Sequence, residues 1–190
     1  MANTDRVNGF KPYKFDSSKI QPCYHAAGTT VTHDMFVGDL VELDSTAGPG
    51  GQTGVKVATA ANDEDVWGCV VSIANDPDYP ARATFIDGAK AGVVMVLTDR
   101  AAIYEAQAND VLAVTDVGQN ANMVQTSVGN RTTGASGQEV NASVATTNTY
   151  MLKVVGFPNR ADNTINSADN KVLVQINMNQ HIGDAGSTGV

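Results

Sequence analysis

The sequence is short of charge, of aromatic rings and of cysteine, and each shortage narrows what the chain can be. Charged residues make up 17% and aromatic residues 6% of the 190 residues, both low for a globular chain. Asn, Thr, Gly, Ala and Val fill the difference, and these are the residues of strands joined by turns. Cys23 and Cys69 are the only cysteines. Two thiols in a chain expected to meet reducing conditions do not make a disulfide framework. Cys69 reads as a small buried hydrophobe and Cys23 as an incidental thiol. Lys and Arg number 12 against 20 Asp and Glu, a formal net charge of −8, and no stretch gathers the cations into a stripe. Phosphate recognition and adhesion to an anionic membrane both draw on such a stripe, so neither nucleic acid nor membrane is an expected partner. No run reaches the ~18 apolar residues of a membrane span, and the N-terminus has no basic flank leading into an apolar run. The chain is therefore expected to be soluble and made without a secretory signal.

What is present divides into unequal parts. Residues 1–28 hold Phe10, Pro12, Tyr13, Phe15, Ile20 and Pro22 with no helical or strand period, which predicts an extended N-terminal arm that grips a neighbour. Residues 29–180 form the body, and residues 181–190 a flexible C-terminal tail. In the body, Met35 to Leu43 alternates as a half-buried strand with a turn or bulge at Gly38-Asp39. Residues 47–54, with four glycines and a proline, read as a loop, and Asn62 to Asp65 as an acidic turn. Val66 to Ile73 is predicted as a strand with Trp67 in the core. The prolines at 77 and 80 force an extended excursion. Gly92 to Thr98 is the strongest strand; residues 99–108 fit a helix capped by Asp99 but alternate, and are read as a strand. Residues 129–145, rich in Gly, Ser and Thr, are expected to face solvent. Tyr150 to Phe157 and Lys171 to Met178 close the body around a turn at Pro158 to Asn163. Frequent short strands without βαβ alternation indicate an all-β fold: an antiparallel β-sandwich or barrel, jelly-roll-like or β-tulip-like, with the N-terminal arm appended.

Residues for catalysis are thinly spread. Cys23, His25 and His33 could be imagined around a metal, yet no CxxC or HxxxH spacing accompanies them. There is no GxSxG elbow, and Gly48-Pro49-Gly50-Gly51 lacks the lysine of a phosphate loop. Asp63, Glu64 and Asp65 read as a solvated turn. The expectation is a protein with no catalytic residues, no metal and no cofactor. Two rival classes are a secreted glycan-binding module, for which Trp67 would have to be exposed, and a hydrolase using dispersed carboxylates.

The opening Met1 to Pro12, with its Asn3, Asp5 and Gly9-Phe10-Lys11-Pro12, resembles the start of small virion proteins of tailed bacteriophages. Further blocks keep the pattern in order: Phe36 to Val41, Val66 to Val71, Leu152 to Phe157 with Asp162-Asn163, and Val174 to His181. Together they span nearly the whole chain and resemble the capsid cement, or head decoration, proteins. That resemblance implies a non-enzymatic, β-rich protein on the capsid exterior, synthesised in the host cytoplasm. It binds the major capsid protein and itself, commonly as a homotrimer at three-fold or local three-fold positions. In such a role the arm, through Phe10, Pro12, Tyr13, Phe15 and Ile20, is the expected interface with capsid and neighbouring subunits. A phage tail or fibre subunit is the nearest alternative among virion proteins.

Overall fold

The structure, a computed structural model, describes residues 3–28, 34–60, 65–74, 84–180 and 186–189. Five strands close into a barrel: β2 (Ile20–His25), β4 (Leu40–Asp44), β5 (Thr53–Val57), β6 (Gly68–Ile73) and β8 (Gly92–Leu97), in the order β2-β5-β4-β6-β8. Every pairing in it is antiparallel except β2 with β5. A second, open antiparallel sheet runs β1 (Lys11–Lys14), β9 (Ile103–Gln107), β14 (Lys171–Ile176), β13 (Leu152–Gly156), β10 (Asn120–Ala121). Two small ribbons complete the set: β3 (Met35–Phe36) with β7 (Phe85–Ile86), and β11 (Met123–Gln125) with β12 (Gln138–Val140). The all-β, antiparallel expectation is met, and residues 103–107 are strand rather than helix.

Alternation along the barrel strands builds two cores at once. Leu40, Cys69 and Leu97 lie in register across β4, β6 and β8, with Ile20 beside Leu97 on β2, and this row faces the open sheet. Their chain neighbours Val41, Val70 and Val96 point the opposite way and fill the barrel with Val55, Val57 and Val94. Successive side chains on a strand point to opposite faces, so each of these dipeptides serves both cores. A five-stranded barrel is narrow, and compact β-branched side chains suit its interior. From the sheet, Tyr104, Ala106, Leu152, Val154, Val172 and Val174 meet the outer row, with Tyr104 opposite Val174 and Ala106 opposite Val172.

The N-terminal segment is woven into this fold, which corrects the separation of residues 1–28 as an arm. Phe10 has no exposed surface and belongs to the core between sheet and barrel. β1 is the edge strand of the sheet, and β2 is a stave of the barrel. The missing period has a local cause. β1 is only four residues long and shifts register between Pro12 and Lys14, while Pro22 interrupts the pattern of β2. That proline is tolerated because β5 pairs with β2 only from Cys23 onward.

A tight crossing holds the segment in place. The Phe10 N–H donates to the Gly38 carbonyl (2.8 Å), the Gly38 N–H to the Val70 carbonyl (2.8 Å), and the Cys69 thiol to the Phe10 carbonyl (3.3 Å). Gly9 has φ +66°, and a Cβ there would fall 2.5 Å from the Ser136 Cβ and 2.6 Å from the Gly38 oxygen. Only glycine meets both demands. Gly38 (φ +94°) closes a turn in which the buried Asp39 carboxylate accepts the Phe36 N–H at 2.7 Å.

Two further expectations change. Within residues 129–145, Ser136, Gln138, Glu139 and Val140 are buried, since β12 packs inward and Gln138 accepts the Leu40 N–H at 2.7 Å through Oε1. In the tail, residues 186–189 are pinned. The Ser187 N–H donates to Asn177 Oδ1 (2.9 Å), the Lys153 ammonium to the Thr188 carbonyl (2.9 Å), and the Gly189 N–H to the Thr146 carbonyl (3.0 Å). The acidic turn at 62–64, the excursion around Pro77 and Pro80, and the remainder of the tail lie outside the described residues.

Candidate functional site

β1 is bonded on one side only. Among the described residues it pairs with β9 and with no other strand, so its second edge presents backbone donors and acceptors outward. Unpaired sheet edges are templates for association, and proteins usually blunt them with lysine or proline. Here Lys11, Pro12 and Lys14 do so in part, yet Tyr13 is 57% and Phe15 43% exposed. Aromatic rings left in water beside an open edge are the least settled apolar groups of the sheet. Phe15 stays out because the chain turns immediately after it. Asp16 caps a short 3-10 turn (Ser17–Lys19) by accepting the Ser18 N–H, while its own N–H is held by Asp99 at 2.8 Å.

Behind the edge lies an open groove of about 680 Å³ lined by Arg6, Lys11, Tyr13, Glu105, Arg160 and Lys171 among others. Its charges fall into two sets. Arg160 forks onto Glu105 at 2.8 and 2.9 Å and reaches Asp162 at 3.0 Å, and Lys171 reaches Asp162 at 2.8 Å. The hydrogen bond from Lys171 holds the Asp162 carboxyl below its ordinary pKa. Lys11, Lys14 and Lys19, by contrast, enter none of the ion pairs found among the described residues. Residues 1–19 carry four cations against two acids on a chain whose net charge is −8. The edge is thus a local positive region on an acidic molecule.

The five residues expected at an interface are therefore divided. Tyr13 and Phe15 are exposed on the edge, Pro12 is half-buried within it, and Ile20 packs against the shared core. Phe10 is removed from the set, because its ring fills that core.

Comparison with protein-family models, curated proteins and solved structures finds no match to this chain.

Of the imagined metal trio, the two described members present no surface site. Cys23 and His25 are both buried, Cys23 in the barrel core; burial raises the thiol pKa and lowers that of the imidazole, and His25 Nδ1 lies 3.3 Å from the Val55 carbonyl. His33 lies outside the described residues. No group of three His, Cys, Asp or Glu side chains with metal-holding geometry occurs among the described residues. Trp67 is half-buried against the barrel core, so it forms no open platform for a sugar ring.

A second surface was missed in the sequence. Val111, Val114 and Val117 are 43%, 56% and 39% exposed, and Ile165 is 36% exposed. Two asparagines stitch their loops together. Asn166 Oδ1 accepts the Val114 N–H at 3.0 Å, while Asn170 donates to the Leu112 carbonyl at 2.7 Å and accepts the Leu112 N–H at 3.3 Å. The signal was a valine at every third residue, Val111, Val114 and Val117, a spacing that differs from the period of two in the strands; Val114 opens a short 3-10 turn (Val114–Asp116) and Val117 caps it. This loop follows β9 at Gln107. Tyr13 and Phe15 lie toward its other end, since Lys14 is opposite Ile103. The two apolar surfaces therefore sit at opposite ends of the same sheet.

Proposed function

We propose that this protein is a structural subunit of a bacteriophage virion that binds the outer surface of the capsid and cements adjacent major capsid protein subunits, its partners being that shell and further copies of itself. The observation that carries this reading is the open β1 edge, where exposed Tyr13 and Phe15 sit among lysines that enter no ion pair among the described residues. The contact surface is this folded edge, and not a loose leader.

A shell under internal pressure fails by separation of neighbouring subunits, so a cement has to touch more than one of them. Surfaces at opposite ends of a rigid sheet suit that task. Each aromatic side chain contributes roughly 1.5–3 kcal/mol when fully buried, which makes a single contact weak. A repeating lattice compensates by raising the effective concentration of the second contact. Because the edge is already ordered within the fold, docking avoids the ~1–2 kcal/mol per residue that a disordered arm would lose on binding. The acidic body suits an exterior position, away from packaged nucleic acid of the same sign.

Cryo-electron microscopy of particles assembled with and without the chain tests the reading. The expected difference is a β-rich knob outside the shell with the Tyr13 edge buried. Density in the tail, or none on the particle, would overturn it.

A further inference from the structure

The two apolar surfaces differ in kind as well as in position. One is aromatic and rimmed by Lys11, Lys14 and Lys19; of the acids beside it, Asp16 and Asp99 accept backbone N–H groups, while Glu105 and Asp162 are paired with Arg160 and Lys171. The other is aliphatic, built from Val111, Val114, Val117 and Ile165, and its loops carry Asp169 together with Asp110 and Asp116, which likewise accept backbone N–H groups, from Val111 and Ala113, and keep their charge. Projecting rings are matched by a surface of short branched side chains, and a lysine rim by an aspartate rim. Within one molecule the two lie at opposite ends of β9 and cannot meet.

We propose that each is the docking site for the other on a second copy of this chain, so that copies associate head to tail through the Tyr13/Phe15 edge of one and the valine end of the next. Such a contact is heterologous: every copy keeps one unused surface of each kind until a ring closes. Pairing like with like is disfavoured by the same charges, since two lysine rims or two aspartate rims would repel. This names the partner of the edge and rests on the reading of that edge as an assembly surface, although it is measured without a capsid.

The experiment uses two double variants of the full chain, Tyr13→Ser with Phe15→Ser, and Val114→Asp with Val117→Asp. All four positions are exposed, and circular dichroism verifies that both variants stay folded. Sedimentation velocity of the wild type is expected to give a mass that rises with protein concentration and falls with added salt. Each variant alone is expected to be monomeric. An equimolar mixture should form dimers that grow no further, because the first variant supplies an intact valine end and the second an intact edge. A monomeric wild type, dimers of either variant alone, or a mixture that stays monomeric would each overturn the proposal. Binding of the edge variant to capsids separates this from the broader reading. Loss of capsid binding together with a monomeric wild type leaves the capsid as the partner of the edge and removes the second copy. Retained capsid binding by the edge variant removes the edge from the capsid contact while leaving head-to-tail association to be judged by the mixture.

Discussion

The barrel and the open sheet share a core but handle their strand edges in opposite ways. The barrel has no edge: β2 closes it by pairing with β8 on one side and β5 on the other. The sheet ends at β1, four residues long, with an exposed tyrosine and one bonded side. Closure removes any template for association, whereas an open strand retains one. The N-terminal segment supplies both β1 and β2 and so belongs to both regimes. Position along this segment separates stability from interaction: Phe10 and residues 20–25 hold the fold, and residues 11–15 present a surface.

The strongest way to break that division is to remove the segment. Deleting residues 1–19 takes away β1, the Gly9 crossing and Phe10, and the remaining chain is expected to lose cooperative unfolding altogether in a urea titration. A truncated chain that unfolds cooperatively near the wild-type midpoint would restore the arm as a separable appendage. Phe10→Ala is the finer form of the same test. It is expected to cost about 3–5 kcal/mol, the usual range for emptying a fully buried aromatic site.

Next in size is the hydrogen bonding under the crossing. Gln138→Leu leaves the Leu40 N–H without its acceptor in a site closed to water. An unsatisfied buried donor costs roughly 1–3 kcal/mol, so the urea midpoint should fall while the slope stays constant.

Asp39 sharpens the comparison through pH. Burial is the largest influence on it and raises its pKa to about 7, while hydrogen bonds from Ser136 and the Phe36 N–H oppose the rise. Unfolded, it titrates near ~3.9. The folded state therefore holds the proton more tightly, and the contribution of Asp39 is full below pH ~4 and is lost as pH rises toward about 7. His25 has the opposite sign, because burial lowers its pKa and acid then favours the unfolded chain. Total stability mixes the two, so the informative quantity is the difference between Asp39→Asn and wild type. That difference should move in favour of the variant between pH 4 and 8, and a flat difference would mean that Asp39 is not desolvated in the folded chain.

The sequence conveyed the strands well where a period of two ran unbroken, as in Gly92 to Leu97 and Lys171 to Ile176. It conveyed the glycines of the crossing only as text. Gly9-Phe10, Gly38-Asp39 and the run Val66 to Val71 were each noted separately, and the structure brings Phe10, Gly38, Cys69 and Val70 together at one point. Their separation along the chain hid that contact, because alternation reports which face a residue takes and not which strand lies opposite. The same limit turned residues 1–28 into an arm: two prolines and a register shift erased the period of strands that do pair. Polarity misled at Ser136 and Gln138, which are buried because their hydrogen bonds are met by backbone groups.

The smallest expected effect on stability belongs to the edge itself. Tyr13→Ser and Phe15→Ser remove rings that are already about half in water, and surface changes away from packed features usually stay within ~0.5 kcal/mol. The urea midpoint of the double variant should match wild type, in contrast to the large loss from Phe10→Ala only a few residues earlier. A fall comparable to that of Phe10→Ala would mean that these rings support the sheet and are not held ready for a neighbour. An unchanged midpoint identifies two large aromatic side chains that fold stability does not require, and those are the groups that association can use.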